Sequence, residues 1–313
     1  VRIGVTGGSG FIGSHVVDRL VGAGHDVVVL DVRPPHRVDV DFRRVDIANV
    51  ASVQRGVRGC DVVFHLAAVA DVNDGFRRPA DAVAVNVGGT ANVWEAARRA
   101  GVGRVVLAST VWVYGASPDP DPVDEDACFD LSRAGHVYTA TKLAAEAVAH
   151  SYLQLYGLPF TILRYGIPFG PRMRDSLVIA RFVRMALAGE LITIQGDGSQ
   201  FRNYVYVEDL ADAHVLALAA AAENQVFNLE GPERVTVRRI VEAVRDAVDA
   251  HVGVEFVPAR AGDYAGRTVS AEKARRVLGW EARTPFEEGV RRYVEWWLSD
   301  ASGREPEPLT AGS

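Results

Sequence analysis

Residues 2–15 read "RIGVTGGSGFIGSH". An apolar run ends in Thr6 and Gly7, and a helical pattern begins at Phe11. Gly7, Gly10 and Gly13 stand three apart between the two. Glycine lets the backbone turn tightly and approach a pyrophosphate, whose charge then rests on the helix N-terminus opened by Phe11 and Ile12. An isolated glycine-rich turn is also how a strand meets a helix with no ligand at all. The next apolar run, "HDVVVLD", ends on an acid, Asp31. A carboxylate there accepts hydrogen bonds from both ribose hydroxyls and repels a 2′-phosphate, so it selects NAD over NADP. Arg33 and Arg37, close behind, are the residues that would favour the phosphate instead. Asp46, in "RRVDIAN" with Ile47, ends an expected third strand and would reach the adenine, or else caps a helix.

Outward from this stretch, strands and helices alternate. "RIGVTG", "HDVVVLD", "CDVVFHLAA", "GRVVLAST" and "FTILRY" read as buried strands. "FIGSHVVDRLVGAG", "PADAVAVNVGGTANVWEAARRAG" and "VYTATKLAAEAVAHSYLQLYG" read as amphipathic helices closed by glycine. The pattern predicts an α/β fold: a Rossmann-type doubly wound parallel sheet with a smaller C-terminal α/β substrate-binding lobe. The dinucleotide-binding domain is expected over 1–170, with a return segment near 204–228. An interleaved substrate lobe is expected over 171–300. The tail 301–313 is polar and Pro-rich, and is expected to be disordered. "ASPDPDPVDEDACFD" is read as an acidic surface loop.

The chain has 313 residues, 48% of them hydrophobic and 24% charged, with a net charge of -6. That charge argues against a nucleic-acid partner, which wants a basic face. Two cysteines, Cys60 and Cys128, make no disulfide framework, and a reducing cytoplasm is expected. No HExxH spacing occurs among the eight histidines, and no metal site is expected. No apolar run reaches membrane-span length. The sequence opens on a strand and is read as carrying no signal peptide.

Catalytic chemistry is suggested by "YTATK". Tyr138 and Lys142 are four apart in a helical pattern and share one face. A free tyrosine, with a pKa of about 10, is a poor base at neutral pH. An adjacent ammonium favours the phenolate. "GRVVLAST" places two hydroxyls, Ser109 and Thr110, at the carboxyl end of a strand. Thr110 there would hydrogen-bond the substrate oxygen that Tyr138 deprotonates.

These features together resemble the extended short-chain dehydrogenases/reductases of the nucleotide-sugar epimerase/dehydratase type. The resemblance rests on "TGGSGFIGSH", "FHLAA", "NVGGTANVWEA", "STVWVYG", "YTATK", "LRYGIPFGP", "GDGSQFRNYVYVEDLADA" and "KARRVLGW", and covers residues 1–298. It implies a catalytic triad of Thr110, Tyr138 and Lys142, with Lys142 also binding the nicotinamide ribose. It implies Asn86 near the nicotinamide, and His65, Leu66, Ala67 and Ala68 along the dinucleotide. Arg202 would contact the nucleotide or diphosphate, and Arg260 and Asp263 would meet the diphosphate and ribose. It implies a homodimer built through segments around 80–99 and 137–155.

Family members that eliminate water carry an Asp-Glu pair where this chain has Val111 and Trp112, and decarboxylating members usually carry a Glu at the second position. Without those acids the resemblance implies oxidation of a sugar hydroxyl and its reversal, which is epimerisation. C4 of a UDP-hexose or UDP-hexuronate is the expected position. A net nucleotide-sugar ketoreductase or dehydrogenase is the alternative, and a non-catalytic dinucleotide sensor a third. The family's usual Asn in "LRxxN" is Ile167 here, and His136 stands two residues before Tyr138. Arg172 and Arg174, after the "FGP" turn, fall where the family places the sugar-pocket wall and would suit a C6 carboxylate. The alternative is that both meet solvent or the diphosphate.

Overall fold

The computed structural model describes residues 1–70, 72–249, 251–258 and 267–300. Arg260, Asp263 and the 301–313 tail lie outside them.

Six strands are β1 (Arg2–Thr6), β2 (Asp26–Asp31), β3 (Asp41–Arg44), β4 (Val62–His65), β5 (Arg104–Thr110) and β6 (Phe160–Tyr165). With the strand Gln225–Leu229 they form one seven-stranded sheet, ordered Gln225–Leu229, β6, β5, β4, β1, β2, β3. The pairings are parallel, with Val5 opposite Val29 on one side and Phe64 on the other. The fold is the expected Rossmann-type doubly wound sheet. All seven residues of β5 are buried, as parallel strands covered on both faces require.

The side-chain period of two divides the core. Ile3, Val5, Val27 and Val29 face one layer, with Val16, Val17 and Leu20 of α1 (Phe11–Gly22) and with Leu210 and Ala211. Val28, Leu30, Val63, Val105 and Leu107 face the other, with Val93, Trp94, Ala145 and Ala149. Helices therefore cover both faces, and the chain reverses its direction of travel across the sheet at β1. The carboxyl ends of β1 and its neighbours gather at that reversal, where open α/β sheets bind ligands.

Among the described residues the chain divides into two compact units, the first of 1–168, 202–234 and 267–283, the second of 169–201, 235–258 and 284–300. In the second, Ile192–Gln195 pairs in parallel with Val254–Val257. Its helix Val237–Val248 buries Ile240, Val241 and Val244 on one stripe, and Arg239 meets Glu287 of the helix Phe286–Asp300 at 2.7 Å.

Two sequence expectations need correction. "RRVDIAN" is not strand to its end: β3 stops at Arg44, and Asp46 lies beyond it, exposed. Its Oδ1 accepts from Ala48 N at 2.9 Å, which turns the chain locally. The cap of the next helix is Asn49, whose side chain accepts from Ser52 N. The expected single helix over 79–101 is three pieces, with a π-helical turn, Ala84–Gly88, between Pro79–Val83 and Gly89–Ala100.

Candidate active site

The glycine loop is shaped by backbone contacts. Gly7 adopts φ 72°, and a Cβ there would stand 2.7 Å from Ala67 N. A Cβ on Gly13 would stand 2.1 Å from Gly7 O. Gly10 donates to Gly7 O at 3.0 Å and is the N-cap of α1. No side chain caps that helix, and no acid lies in its first turn, at Phe11 and Ile12. The loop that leads into its first amides is packed too closely on backbone for a side chain at Gly7 or Gly13. This fits a dinucleotide pyrophosphate.

Asp31 ends β2 at 8% exposure. Its Oδ2 accepts from Ser9 N and its Oδ1 from Arg33 N, both at 3.1 Å. Each oxygen keeps a lone pair for a further donor. Arg37 is engaged by Asp39 at 2.8 Å and Asp18 at 3.1 Å. Leu66 donates its N–H to Thr6 O at 3.1 Å, and Ala67 N to Thr6 Oγ1 at 3.3 Å, so Leu66, Ala67 and Ala68 leave β4 along the glycine loop. Ile47 is buried against Gly89, where a Cβ would come within 2.7 Å of its Cδ1.

Thr110 ends β5 and caps the 3-10 turn Val111–Ala116 by accepting from Trp112 N at 3.2 Å. Its own hydroxyl hydrogen is not used in that bond. The helix Val137–Tyr156 carries Tyr138 and Lys142. Lys142 Nζ lies 6.0 Å from the centre of the Tyr138 ring and donates to Ala108 O at 2.8 Å. Burial pulls the Lys142 ammonium from its usual value down to about 8, and Glu146 works against that shift. A phenol, a cation and a hydroxyl are thus carried on one helix face and one strand end.

A chain of buried hydrogen bonds joins the glycine loop to this helix. His65 Nδ1 meets Thr6 Oγ1 at 2.8 Å, and its Nε2 meets Thr90 Oγ1 at 3.0 Å. Thr90 donates to Asn86 O, so its oxygen accepts from His65 Nε2, which fixes the tautomer. Burial holds the ring neutral, down at about 3. Asn86 sits in the π-helical turn, accepts from Val69 N at 2.8 Å and donates to Thr141 Oγ1 at 3.1 Å. Thr141 in turn donates to the Tyr138 carbonyl at 2.8 Å.

Val111 is 8% exposed and packs with Val113, Tyr114, Val123 and Val269. Trp112 packs against that cluster, 5.2 Å from the His136 ring. Burial lowers the His136 pKa. The expected loop after this turn is held by Arg267, which bonds Asp121 at 2.8 Å and the Tyr114 carbonyl at 2.9 Å.

Arg202 lies in the strand Phe201–Tyr206, half-buried. Arg172 and Arg174 belong to the second unit. Arg172 has a left-handed backbone, φ 65°, and Arg174 is exposed. Thr6, Thr90, Ser109, Thr141, Glu146 and Arg164 were not among the expected site residues. The one local signal was spacing: Glu146 follows Lys142 by four, as Lys142 follows Tyr138.

Residues 3–229 match the model of the NAD dependent epimerase/dehydratase family. The chain is 35% identical to a UDP-glucose 4-epimerase of Mycolicibacterium smegmatis, over 95% of this chain and 98% of that one. It is 32% identical to UDP-glucuronic acid decarboxylase 1 of Danio rerio, over 95% and 72%. It superposes with a TM-score of 0.85 on Thermus thermophilus UDP-glucose 4-epimerase in complex with NAD, at 35% identity over 95% and 99%.

Proposed function

We propose that this chain, which belongs to the NAD dependent epimerase/dehydratase family, is a UDP-sugar 4-epimerase. Relatives of both epimerase and decarboxylase type are similar to it. The observation that carries the reading is the pair Val111 and Trp112, engaged in apolar packing beside Thr110. Elimination needs an acid and a base beyond a tyrosine, and neither side chain supplies one.

The cofactor is NAD, held by the Gly7–Gly13 cradle, the amides at Phe11 and Ile12, Asp31, and the backbone of Leu66, Ala67 and Ala68. When bound, it supplies the oxidising and reducing capacity at the sugar carbon. Tyr138 as phenolate accepts the proton of the 4-hydroxyl and later returns one to the 4-oxygen. Thr110, whose oxygen already accepts from Trp112 N, donates its own hydrogen to that sugar oxygen. Lys142 favours the phenolate by its charge. Arg202, with Arg260 and Asp263, is proposed to meet the diphosphate and nucleotide ribose. A homodimer through the helices of 79–100 and 137–156 is part of the reading. It is supported by exposed Val83, Leu155 and Tyr156 and is checked by light scattering.

Asp31→Ala is expected to narrow the preference for NAD over NADP, measured as the ratio of dissociation constants. Loss of the ribose bonds weakens NAD, and loss of the negative charge eases NADP. A wild type that binds NADP more tightly contradicts the assignment.

The reaction is tested by NMR of the protein with UDP-glucose and UDP-galactose. Interconversion without net NADH is expected. Accumulating NADH, or a 4-keto-6-deoxy sugar, overturns the reading. UDP-glucuronate belongs in the same panel, because Arg172 and Arg174 follow Pro171 of the "FGP" turn within three residues and an arginine fork suits a carboxylate. If the sugar is a uronate, Arg172→Ala lowers kcat/KM for UDP-glucuronate by roughly 10-fold or more and spares UDP-glucose. Release of carbon dioxide from UDP-glucuronate would place the chain with the decarboxylases instead.

A further inference from the structure

Successive residues at the end of β5 are gripped by successive turns of the Val137–Tyr156 helix. The Ala108 carbonyl accepts from Lys142 Nζ at 2.8 Å, and Ser109 Oγ donates to Glu146 Oε1 at 2.5 Å. Thr110 follows directly. Tyr138, Lys142 and Glu146 are each one turn apart and share a face. Glu146 is 5% exposed and Lys142 7%. A carboxylate so deep is costly unless it is paired and hydrogen-bonded.

Arg164 of β6 supplies the pairing. Its Nε donates to Glu146 Oε1 at 3.1 Å and its Nη2 to Oε2 at 2.7 Å. Its Nη1 donates to Tyr114 Oη at 2.7 Å, and that hydroxyl donates to Asn228 Oδ1 at 2.7 Å. The guanidinium lies 5.1 Å from the Tyr114 ring centre and 5.2 Å from that of Phe129. A network in which each member is satisfied is rigid, and it fixes the groups it holds.

We propose that Glu146 is a positioning residue for the proposed Tyr138–Lys142 pair: clamped by Arg164 and Ser109, its carboxylate keeps the Lys142 ammonium charged and locks Thr110 against the helix that carries Tyr138. The inference rests on the epimerase reading above. The charges around Lys142 support it. Tyr138 and Glu146 face it from its own helix, and the Ala108 carbonyl from β5. His65 reaches it from β4 but is held neutral. Facing Glu146 are Arg164 from β6, Ser109 from β5 and, through Arg164, Tyr114. The carboxylate is bonded to Arg164 and acts on Lys142 through its charge, one helical turn away. Without it, Lys142 and Arg164 are two buried positive charges with no anion joining them, and the ammonium sheds its proton more readily.

The test uses the NAD-loaded protein and follows kcat and KM from pH 6 to 10, with thermal unfolding alongside. Glu146→Gln keeps the shape and removes the charge. Glu146→Gln with Arg164→Met removes both charges, so Arg164 is not left as a buried cation without its carboxylate and much of the lost stability returns. In both, the loss of kcat relative to wild type is expected to be several-fold greater at pH 9 than at pH 7, about 5-fold if the ammonium's titration moves down by one pH unit from about 8, with KM little changed. A double variant with the wild-type pH profile, or with one uniform loss at every pH, overturns the proposal and leaves the pair a structural clamp. Should neither variant fold, Ser109→Ala decides. It keeps both charges, so it should lower kcat without moving the alkaline limb, and a moved limb counts against Glu146 as the source of the effect. Tyr138→Phe measured in parallel separates the two failures: if it turns over like wild type, the epimerase machinery itself is misassigned.

Discussion

Tyr138→Phe is expected to lower kcat by at least ~10²-fold, the usual contribution of a positioned acid-base group, while NAD binding and the fold persist. The substitution removes one oxygen and keeps the ring, so packing is conserved. Tyr138 is proposed as the proton acceptor, and Lys142, 6.0 Å from its ring centre, as the cation that stabilises the phenolate. Single-turnover and steady-state assays on UDP-glucose, with the bound cofactor quantified, separate loss of chemistry from loss of NAD. Near wild-type turnover at saturating substrate would remove Tyr138 from the mechanism. The pH dependence follows from Lys142. Burial takes its ammonium down to about 8, so its support for the phenolate is present below that pH and fades as pH rises through it. The same burial has the opposite consequence for stability. The unfolded chain keeps this proton to about pH 10.4, so the cost of the buried charge is full below pH 8 and is relieved as pH rises above it.

Gly13→Ala is the second large effect. The added Cβ would stand 2.1 Å from Gly7 O and 2.8 Å from Gly7 C. Both are backbone atoms, and Gly7 O is already the acceptor of Gly10 N. No rotamer relieves the clash, so α1 must move away from β1. Overpacking of this kind costs ~1–3 kcal/mol, and the displaced helix amides no longer face the proposed pyrophosphate. The expected result is a lower unfolding temperature together with a loss of NAD affinity of at least ~10-fold. Gly22→Ala is the control, because nothing lies within 4 Å of a Cβ there and the residue sits in the same helix. Unchanged NAD binding in Gly13→Ala would show that the loop does not hold the dinucleotide.

Local pattern carried much of this molecule. Five strands expected from apolar runs are present as β1, β2, β4, β5 and β6, because a strand buried on both faces needs a continuous run of β-branched residues, whatever packs on it. Tyr138 and Lys142 were readable as neighbours because one helical turn separates them. The glycine spacing was readable because a tight turn into a helix is a local event. The end of the third strand, read at Asp46 and found at Arg44, was not legible for the opposite reason. A polar residue after an apolar one reads equally well as strand end or helix cap, and Asn49, three residues later, took the cap.

Tertiary structure decided how the polar groups pair. Ser109 finds Glu146 across 37 residues, Arg164 finds Glu146 across 18, and Asn86 finds Thr141 across 55. No periodicity announces such pairs, since each partner is an ordinary serine, arginine or threonine until a sheet and a helix bring the two together. The π-helical turn at Asn86 was hidden in the same way, its bonds to Val69 and Thr141 lying outside its own helix. By itself the sequence determined most of the sheet's strands, the helices between them and the proposed base and cation. The fold alone decided that a buried carboxylate, held by β5 and β6, stands one turn behind that cation, because burial and long-range hydrogen bonds exist only once the layers have closed.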